Sequence, residues 1–366
     1  MISVIGAGPS GSYTAYLLAR KGYNVCLFEE HSKIGRPVHC TGLVTSSICS
    51  ILKIKDSLIK NRIRRIRAYP PGKDFLELNL RNPELVLDRE KFDSYLCSKA
   101  VDAGANLFLN HRFIAKEKNR IIIKDTEKKR IKRIETDILI GADGHLSSVA
   151  KSSGLFGKRE FYIGLQARVK LKTDPCCYKT FFGNGFPDFF GWVVPENDSI
   201  ARVGLAAKRN SALHFKDFMA SRKIKKEDII EKQSGLIPVY NPKNRAQSDN
   251  VYIVGDAALQ VKATTGGGII PGLLAAKALA NSIIKDKDYE KMWRNEIGKE
   301  LFISLLIRKM LNKFSDEDYN KLISLAGRDS VKDILENHDR DHPSRMLLDL
   351  VIKEQRFFYF LKLMVK

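Results

Sequence analysis

Apolar and glycine-rich segments alternate at the start of the chain in a way that is typical of a β-α-β unit. Residues 2–5 are a short apolar run of β-forming side chains, and a glycine-rich turn follows them. Residues 12–21 carry apolar side chains at helical spacing, and after Gly22 residues 24–29 form a second apolar strand. The pattern predicts two parallel strands joined by a helix, as in open α/β sheets.

The rest of the pattern predicts a second sheet and a helical C-terminal region. A helix is predicted over residues 87–103, entered through Asp88, which is a good N-cap residue. Residues 162–205 form a β pattern rich in Phe, Gly and Pro, which predicts a second sheet domain. Further elements are predicted as β runs at 106–114, 120–124, 136–140 and 251–254, a long apolar helix ending near Ile284, and amphipathic charged helices over 286–366.

The composition is that of a folded protein with ample apolar material for a core. Hydrophobic residues make up 44% of the 366 residues, which excludes intrinsic disorder. No window of about 18 uncharged apolar residues exists, so we expect no transmembrane helix. A strand-like run already begins at Ile2, so we expect no signal peptide. The six scattered cysteines have neither C-x-x-C nor zinc spacing, which favours free thiols in a reducing cytosol and no metal site.

The chain is strongly basic. It carries 63 Lys and Arg against 42 Asp and Glu, which is a formal charge of +21. A solvated basic surface, an anionic membrane surface or nucleic acid would each explain this excess. The basic residues are dispersed and do not interleave with aromatic residues, as a surface for stacked bases requires. We therefore expect no nucleic-acid partner, and the membrane and solubility interpretations stay open.

The first glycine-rich turn has the spacing of a dinucleotide-binding motif. Gly6, Gly8 and Gly11 fit G-x-G-x-x-G between a predicted strand and a predicted helix. The first glycine permits the tight turn, the second lets backbone approach a pyrophosphate, and the third lets the helix pack closely on the strand. The phosphates would bind N–H groups at the positive end of the helix. Glu29, at the end of the second strand, is placed to accept hydrogen bonds from ribose hydroxyls.

Three later segments add candidate binding groups. Gly141-Ala-Asp-Gly144 and Gly255-Asp256 both follow buried strands, and the Asp256 carboxylate could bind a ribityl hydroxyl. The glycines at 266–268 leave N–H groups bare at a helix start, which would suit the anionic N1–C2=O edge of a reduced flavin. Arg89 and Asp93 lie at i and i+4 on one helix face, which is also the spacing of an ordinary ion pair.

Together these motifs resemble the p-hydroxybenzoate-hydroxylase-like flavoproteins, which bind FAD. Within that group, residues 35–43 (GRPVHCTGL) and 262–269 (KATTGGGI) look like the geranylgeranyl reductase family. Members of this family include archaeal enzymes that saturate the prenyl chains of membrane lipids. The resemblance covers residues 1 to about 285, and the two loop motifs are its specific part.

The resemblance implies an α/β fold, α+β overall. A Rossmann-like three-layer FAD-binding domain would carry an inserted antiparallel β-sheet substrate domain and a helical C-terminal region. The FAD-binding domain would be discontinuous, over 1–60, 86–155 and 246–285. The substrate domain would comprise 61–85 and 156–245, and the helical region 286–366.

Transferred position by position, the resemblance also implies a set of binding residues. The FAD contacts implied are Gly6, Gly8, Ser10, Gly11, Glu29, Arg36, Cys40, Thr41, Leu43, Arg89, Asp256, Gly268 and Ile269. The family's lipid signature P-x-x-Y-x-W-x-F-P reads PDFFGWVVP over residues 187–195, which implies substrate contacts at Phe190, Trp192 and Pro195. Phe190 replaces the tyrosine of the signature and so lacks its hydroxyl. Val194 replaces the phenylalanine, and the smaller side chain would widen the prenyl-binding tunnel that the resemblance implies.

Reduction of an isolated alkene needs a hydride, supplied by a flavin, and a proton delivered to the other carbon. Cys40 lies in the signature loop and carries a weakly acidic S–H, so it is the candidate catalytic residue. A small buried hydrophobe is the commoner role of a free cysteine. The neighbouring His39 is interpreted as a satisfied loop histidine.

The resemblance therefore implies an FAD-dependent reductase of the C=C bonds of a polyprenyl lipid. Two alternatives stay open: a flavin monooxygenase or halogenase, since F-x-W-x-V-P at 190–195 distantly resembles the halogenase W-x-W-x-I-P, and an electron-transfer flavoprotein that reduces a quinone. No second dinucleotide motif is present, so the external reductant is open between NAD(P)H and a ferredoxin-like partner.

We expect a cytoplasmic protein, with peripheral contact to the inner membrane face as an open alternative. Two apolar and basic segments, 299–314 and 345–366, could either lie on a membrane or pack on the core with a wet polar face.

Overall fold

The computed structural model describes residues 1–360. Its strands are β1 Ile2–Ile5, β2 Val25–Phe28, β3 Leu43–Val44, β4 Ile59–Tyr69, β5 Leu76–Leu87, β6 Asn106–Phe108, β7 His111–Glu117, β8 Arg120–Asp125, β9 Arg130–Glu135, β10 Ile138–Gly141, β11 Phe161–Lys170, β12 Cys177–Phe181, β13 Gly191–Pro195, β14 Ile200–Ala207, β15 Ile229–Pro238, β16 Gln247–Ser248 and β17 Val251–Ile253. Its helices are α1 Pro9–Ala19, α2 Ile48–Ile51, α3 Arg89–Asp102, α4 Ser148–Ser152, α5 Ser211–Ser221, α6 Ile269–Ile284, α7 Tyr289–Trp293, α8 Lys299–Leu311, α9 Asp316–Ala326, α10 Asp329–Asn337 and α11 Pro343–Lys353.

The chain divides into two compact units. The first comprises Met1–Val38, Arg89–Glu160 and Pro238–Phe302. The second comprises His39–Asp88, Phe161–Ile237 and the chain from Ile303 onward. The predicted FAD-binding domain also included residues 39–60, which cluster instead with the second unit.

A six-stranded sheet in the order β16-β17-β10-β1-β2-β6 forms the centre of the first unit. β1 pairs in parallel with β2 and β10, so that Ile5 lies opposite both Phe28 and Gly141. All four residues of β1 and of β2 are buried; α1 contacts both strands and packs in turn against α3 and α6. The carboxyl ends of the parallel strands therefore meet at one edge, which is where open α/β sheets bind ligands. The predicted α/β class is confirmed.

The second unit is built on an eight-stranded sheet in the order β15-β11-β14-β13-β12-β4-β5-β3. The pairs β11–β14, β13–β14, β12–β13, β4–β5 and β3–β5 are antiparallel, whereas β4 and β12 run in parallel. One face of this sheet carries an apolar cluster that includes Val193, Val203 and Leu205, packed with Phe218 and Met219 of α5. β13 and β14 are buried along nearly their whole length, which explains the dense apolar β pattern at the end of the predicted segment 162–205.

Several elements differ from their predicted bounds. α1 begins earlier than predicted because Pro9 suits the first turn of a helix. The predicted run over 106–114 is divided between β6 and β7, which belong to different sheets, because Asn110 turns the chain with a left-handed φ of +59°.

The C-terminal region is helical, as predicted, through residue 360. Leu76 of β5 shares one hydrophobic cluster with Tyr319, Ile334 and Leu350 of α9, α10 and α11. These helices thereby belong to the second unit and not to a separate region. Among residues 1–360, no helix has both the length and the apolar character needed to cross a bilayer. Residues 361–366, the end of the apolar and basic segment 345–366, lie outside the described residues.

Candidate functional site

The glycines of the first turn are required by close backbone packing in the first unit. Gly6 has a φ of +97°, and a Cβ there would overlap the carbonyl oxygen of Ala142 at the end of β10. A Cβ at Gly11 would overlap the carbonyl oxygen of Gly6. Gly8 differs, because no heavy atom lies within 4 Å of the place a Cβ would take. The turn therefore holds α1 against β1 and leaves open backbone surface at Gly8.

Glu29 lies beside this turn, as its spacing predicts. The Ala7 N–H donates to Glu29 Oε2 at 2.9 Å. The backbone N–H of His31 donates to Glu29 Oε1 at 3.0 Å, and His31 Nδ1 lies 2.6 Å from the same oxygen. The carboxylate is thus held at the end of β2 as an acceptor next to the N-terminus of α1. His31 is an additional residue of this site that the sequence pattern did not single out.

Ser10 brings three turns of the first unit together. A Cβ on Gly255 would lie 2.5 Å from Ser10 Oγ, and a Cβ on Gly272 would also collide with this hydroxyl. Both glycines therefore allow α1 to pack against α6 and against the turn after β17. In this position Ser10 has a packing role, and its hydroxyl lies at the junction of the predicted cofactor-binding segments.

Asp256 and Gly268 are neighbours, as the two predicted cofactor contacts require. A Cβ at Gly268 would approach Asp256 Oδ1 to 2.8 Å. Burial raises the pKa of Asp256, while the positive charges of His145 and Arg89 act in the opposite direction. Ile269 begins α6 directly after this glycine. An acid is thus kept at the start of α6, close to positive groups from two other segments.

The two predicted basic contacts are held by acids of α3. Arg89 Nε donates to Asp93 Oδ1 at 3.0 Å and Nη2 donates to Asp93 Oδ2 at 2.8 Å, a bidentate pair that is mostly buried. Arg36 Nε donates to Glu90 Oε2 at 2.7 Å. Lys33 and then Arg36 lower the pKa of Glu90 by hydrogen bonding to its charged form. The pairs of Lys33 and Arg36 with Glu90 attach the loop after β2 to the start of α3, whereas the Arg89–Asp93 pair lies within α3.

Asp143, the acid of the second glycine turn, has a structural role. Its carboxylate accepts hydrogen bonds from Ser147 Oγ at 2.5 Å and from the Val149 N–H at 3.1 Å. Burial raises its pKa, and these donors oppose the shift. The side chain therefore organises the start of α4 and keeps the turn after β10 in place.

The donors and acceptors of the first unit fit a dinucleotide such as FAD. Gly8 offers open backbone at the positive end of α1, where a pyrophosphate would bind. Glu29 supplies carboxylate oxygens for ribose hydroxyls, and Asp256 supplies a buried carboxylate at the start of α6. Each of these groups follows a strand of the same parallel sheet, so one extended ligand can reach them along its carboxyl edge.

The Cys40 loop belongs to the second unit, where backbone contacts fix it. The Gly42 N–H donates to Cys40 Sγ at 3.3 Å, and Arg202 Nη1 donates to the Cys40 carbonyl oxygen. Leu43 begins β3 and pairs with Val86 of β5. His39 Nδ1 lies 2.5 Å from the Ser234 carbonyl oxygen, so its ring has a structural partner. Cys40 itself is partly exposed and carries a free thiol.

Gln166 connects this loop to the predicted lipid signature. Its Oε1 accepts hydrogen bonds from Thr41 Oγ1 and from Trp192 Nε1, both at 3.3 Å. Its Nε2 donates to Gln233 Oε1 at 2.6 Å. Gly204 lies between Gln166 and Trp192 in the sheet register, and a Cβ there would come within 2.7 Å of either side chain. The hydrogen bonds of Gln166 were not predicted, although a glutamine within an apolar strand indicates that its amide has partners in the fold.

The aromatic segment before and within β13 is a packed cluster. Phe190 stacks on Phe189 with ring centroids 4.5 Å apart and meets Trp192 edge-on at 5.8 Å. The guanidinium of Arg308, which is buried, lies 4.5 Å from the Phe189 ring centroid. Burial lowers the pKa of Arg308. Pro195 is buried at the end of β13, and its carbonyl oxygen accepts a hydrogen bond from Asn61 Nδ2. Of the three predicted lipid contacts, Pro195 is thus the one with a structural role in the strand.

A buried ion cluster lies behind the Cys40 loop in the second unit. Glu196, 3% exposed, pairs with Arg202 at 2.7 Å, with Arg168 at 2.8 Å and with Lys60 at 3.4 Å. Burial raises the pKa of Glu196, but the three cations outweigh it, so the pKa lies below its ordinary value. Because Arg202 also holds the Cys40 carbonyl, Glu196 positions the signature loop indirectly.

Replacing Glu196 by glutamine is expected to lower the free energy of unfolding at pH 7 by about 3–5 kcal/mol, since it leaves the buried Arg202 guanidinium without its anion, along with the partly exposed Arg168 and Lys60. A carboxylate whose pKa is depressed on folding stabilises the protein above its unfolded pKa of 4.5 and loses this effect as the pH falls further. The difference in the free energy of unfolding between wild type and Glu196→Gln should therefore become smaller below about pH 4.5. Urea unfolding at neutral and acidic pH measures it. Glu231→Gln, on the exposed side of β15, is the control; equal stability of Glu196→Gln and wild type would contradict the assignment.

The chain is similar to known proteins over nearly its whole length. A family model described as an NAD(P)-binding Rossmann-like domain matches residues 4–41. The chain is 33% identical to digeranylgeranylglycerophospholipid reductase 2 of Methanothermobacter thermautotrophicus, over 96% of this chain and 99% of that protein. It is 30% identical to digeranylgeranylglycerophospholipid reductase of Methanothrix thermoacetophila, over 90% of this chain and 92% of that protein.

Solved structures share the fold. A geranylgeranyl bacteriochlorophyll reductase-like protein from Thermoplasma acidophilum superposes with a TM-score of 0.83 at 23% identity, over 99% of this chain and 98% of that chain. The myxobacterial chondrochloren halogenase, an FAD-dependent halogenase, gives a TM-score of 0.67 at 17% identity, over 95% of this chain and 96% of that chain. At these identities both comparisons establish the fold alone.

Proposed function

Because the chain belongs to the digeranylgeranylglycerophospholipid reductase family, we propose that it is an FAD-dependent reductase that saturates the C=C bonds of a geranylgeranyl phospholipid. The observation that carries this proposal is the 33% identity over 96% of the chain to a reductase of that name. The dinucleotide-type edge of the first unit supports it independently, because Gly8, Glu29 and Asp256 supply the groups that FAD needs.

In this function the residues of the first unit bind and orient the cofactor. Bound FAD supplies hydride-transfer chemistry in its reduced form. The N–H groups around Gly8 bind the pyrophosphate, Glu29 accepts hydrogen bonds from the ribose, and Asp256 accepts from the ribityl chain. The backbone at Gly268 and Ile269 offers donors to the flavin edge. Arg36 keeps the loop after β2 in place through Glu90, and Arg89 is oriented at the start of α3 by Asp93.

In the second unit, Cys40 holds a proton at Sγ for the carbon that does not receive the hydride. An isolated alkene has no polar group for an enzyme to polarise, so a positioned acid is the main contribution that the chain can make. Thr41 and Leu43 hold the loop through Gln166 and Val86. Phe190 and Trp192 offer apolar surface to the prenyl chains, while Pro195 shapes the end of their strand.

The proposal extends to the electron donor and to the place of action. A nicotinamide nucleotide or a ferredoxin-like protein would supply the two electrons for each double bond. A phospholipid substrate requires the enzyme to work at the cytoplasmic face of a membrane as a peripheral protein.

Product analysis with different electron donors tests the proposal. We expect geranylgeranyl phospholipid to gain two hydrogens for each reduced double bond, without oxygen incorporation, when dithionite, NADPH or reduced ferredoxin is supplied anaerobically. A monooxygenase or halogenase would leave the lipid unsaturated under these conditions and, once air is admitted, would consume oxygen and oxidise or halogenate a product. An electron-transfer flavoprotein would reduce a quinone and leave the lipid unchanged. Either of these results would contradict the proposal.

A further inference from the structure

Helix α11 presents apolar side chains on two opposite faces. Leu350 is buried in the hydrophobic cluster that α11 forms with α9 and α10. Leu348 and Ile352 are 61% and 68% exposed, and their i, i+4 spacing places them one turn apart on the same face. A helix at the surface of a globular domain normally carries polar side chains on that face. The outward apolar pair therefore has no explanation in the packing of the described residues.

Exposed apolar side chains are concentrated in this part of the chain. Within residues 1–360, four of the fourteen exposed large hydrophobic residues lie between positions 348 and 359, the other two being Phe358 and Tyr359. Single exposed apolar residues are ordinary, whereas clustered ones mark an interaction surface. The other predicted amphipathic segment, 299–314, has a single exposed large apolar side chain, Phe302, whereas Leu301, Leu305 and Met310 are buried there. The structure thus distinguishes α11 from α8.

The charges around α11 favour an anionic partner. Arg345 and Lys353 are exposed at the two ends of the helix. Asp349, the one acid within α11, is 44% exposed and lies 2.9 Å from His338 Nε2, while Glu354, at the end of the helix, pairs with Arg356 at 2.7 Å. The exposed charges of α11 are thus two cations and one partly exposed acid, so its surface combines apolar side chains with a net positive charge.

We propose that this outward face of α11, the docking face, seats the protein on an anionic lipid bilayer. The docking face is defined by Arg345, Leu348, Ile352 and Lys353. Leu348 and Ile352 would enter the boundary between headgroups and acyl chains, and the two cations would contact lipid phosphates. The inference rests on the proposed function, since a membrane phospholipid as substrate requires the enzyme to stay at a bilayer. The net charge of +21 adds long-range attraction to such a surface.

A second copy of the chain is a less suitable occupant of the docking face. In a symmetric dimer the same patch meets itself, so the exposed cations of both copies would be brought together. Like charges at an interface oppose association unless enough acids intervene, and α11 carries one acid, Asp349, against two exposed cations. An anionic bilayer matches both the apolar pair and the cations.

Vesicle co-sedimentation of the full-length, FAD-loaded protein tests the docking face. The probes are vesicles of phosphatidylcholine with and without phosphatidylglycerol. We expect wild type to bind the anionic vesicles, and Leu348→Ser/Ile352→Ser to bind at least about tenfold more weakly because apolar burial is lost. The control is Ile131→Ser/Leu213→Ser, which removes two similarly exposed residues (64% and 57%) elsewhere. Added salt should weaken the binding of wild type and control alike.

The outcomes separate the docking face from the proposed function. Equal vesicle binding by wild type and the α11 variant, or no binding by wild type, would overturn the docking face. A wild-type dimer that the α11 variant converts to monomer would also overturn it. Reduction of detergent-dispersed lipid should be the same in wild type and variant; its absence from both would reject the reductase proposal without affecting the vesicle result.

Discussion

Cys40→Ala is expected to purify as a yellow, FAD-loaded protein that no longer saturates prenyl double bonds. Removal of a positioned general acid lowers the rate by about 10²–10⁴-fold. The substitution removes the Sγ acceptor of the Gly42 N–H but should preserve the loop, because the contact of Arg202 is with the Cys40 carbonyl oxygen. The measurement is the rate of lipid saturation in detergent, together with the flavin absorbance of the purified variant.

A matched cysteine gives the control for this prediction. Cys49 is exposed at α2 in the same unit, so Cys49→Ala should keep both FAD and full turnover. Cys40→Ser should retain a hydrogen bond from the Gly42 N–H, but its hydroxyl is a far weaker acid than a thiol, so turnover should stay low. Full turnover in Cys40→Ala would reject the thiol as the proton donor.

Two alanine substitutions in the first turn are expected to fail in different ways. Gly11→Ala introduces a Cβ that overlaps the Gly6 carbonyl oxygen, and backbone cannot yield as a flexible side chain can. We expect the free energy of unfolding to fall by at least about 3 kcal/mol. Gly8→Ala meets no atom within 4 Å and has a φ of −69°, which alanine adopts freely. It should fold normally but bind FAD about 10–100-fold more weakly, because the methyl group occupies the pyrophosphate surface.

Urea unfolding of the apoprotein and titration with FAD measure the two effects separately. Gly104→Ala controls for the effect of replacing a glycine outside the motif. Gly104 lies far from the motif in sequence, has a φ of +102° and has open space around it. The variant should lose some stability without losing FAD affinity. Gly8→Ala that binds FAD as tightly as wild type would contradict the predicted position of the pyrophosphate.

Local sequence patterns were sufficient to predict which glycine turns and acids meet at one edge of the first sheet. The glycine spacing, Glu29 and Asp256 each follow a short apolar strand, and parallel pairing brings the ends of these strands together. A residue that directly follows one of these strands is therefore expected at the carboxyl edge of the sheet. The same reasoning predicted β1, α1 and β2 with small errors at their ends, where Pro9 set the start of the helix.

The polar network of the second unit could not be predicted in this way. Gln166, Arg202 and Glu196 come from different strands or strand ends, and their contacts with the Cys40 loop depend on the register of β11, β13 and β14. A single sequence does not reveal that register. The roles of Asp143 and Pro195 also required the structure, because a capping acid and a strand-end proline have the same local pattern as binding residues.

The most direct measurement is an anaerobic reaction of the purified protein with dithionite and a digeranylgeranylglycerol phospholipid, followed by mass spectrometry of the lipid. We predict a yellow protein whose lipid product gains two hydrogens for each double bond reduced, with the reaction dependent on FAD. A colourless protein that does not bind FAD, or a lipid that stays unchanged while the flavin is reduced, would contradict the assignment as a prenyl-lipid reductase.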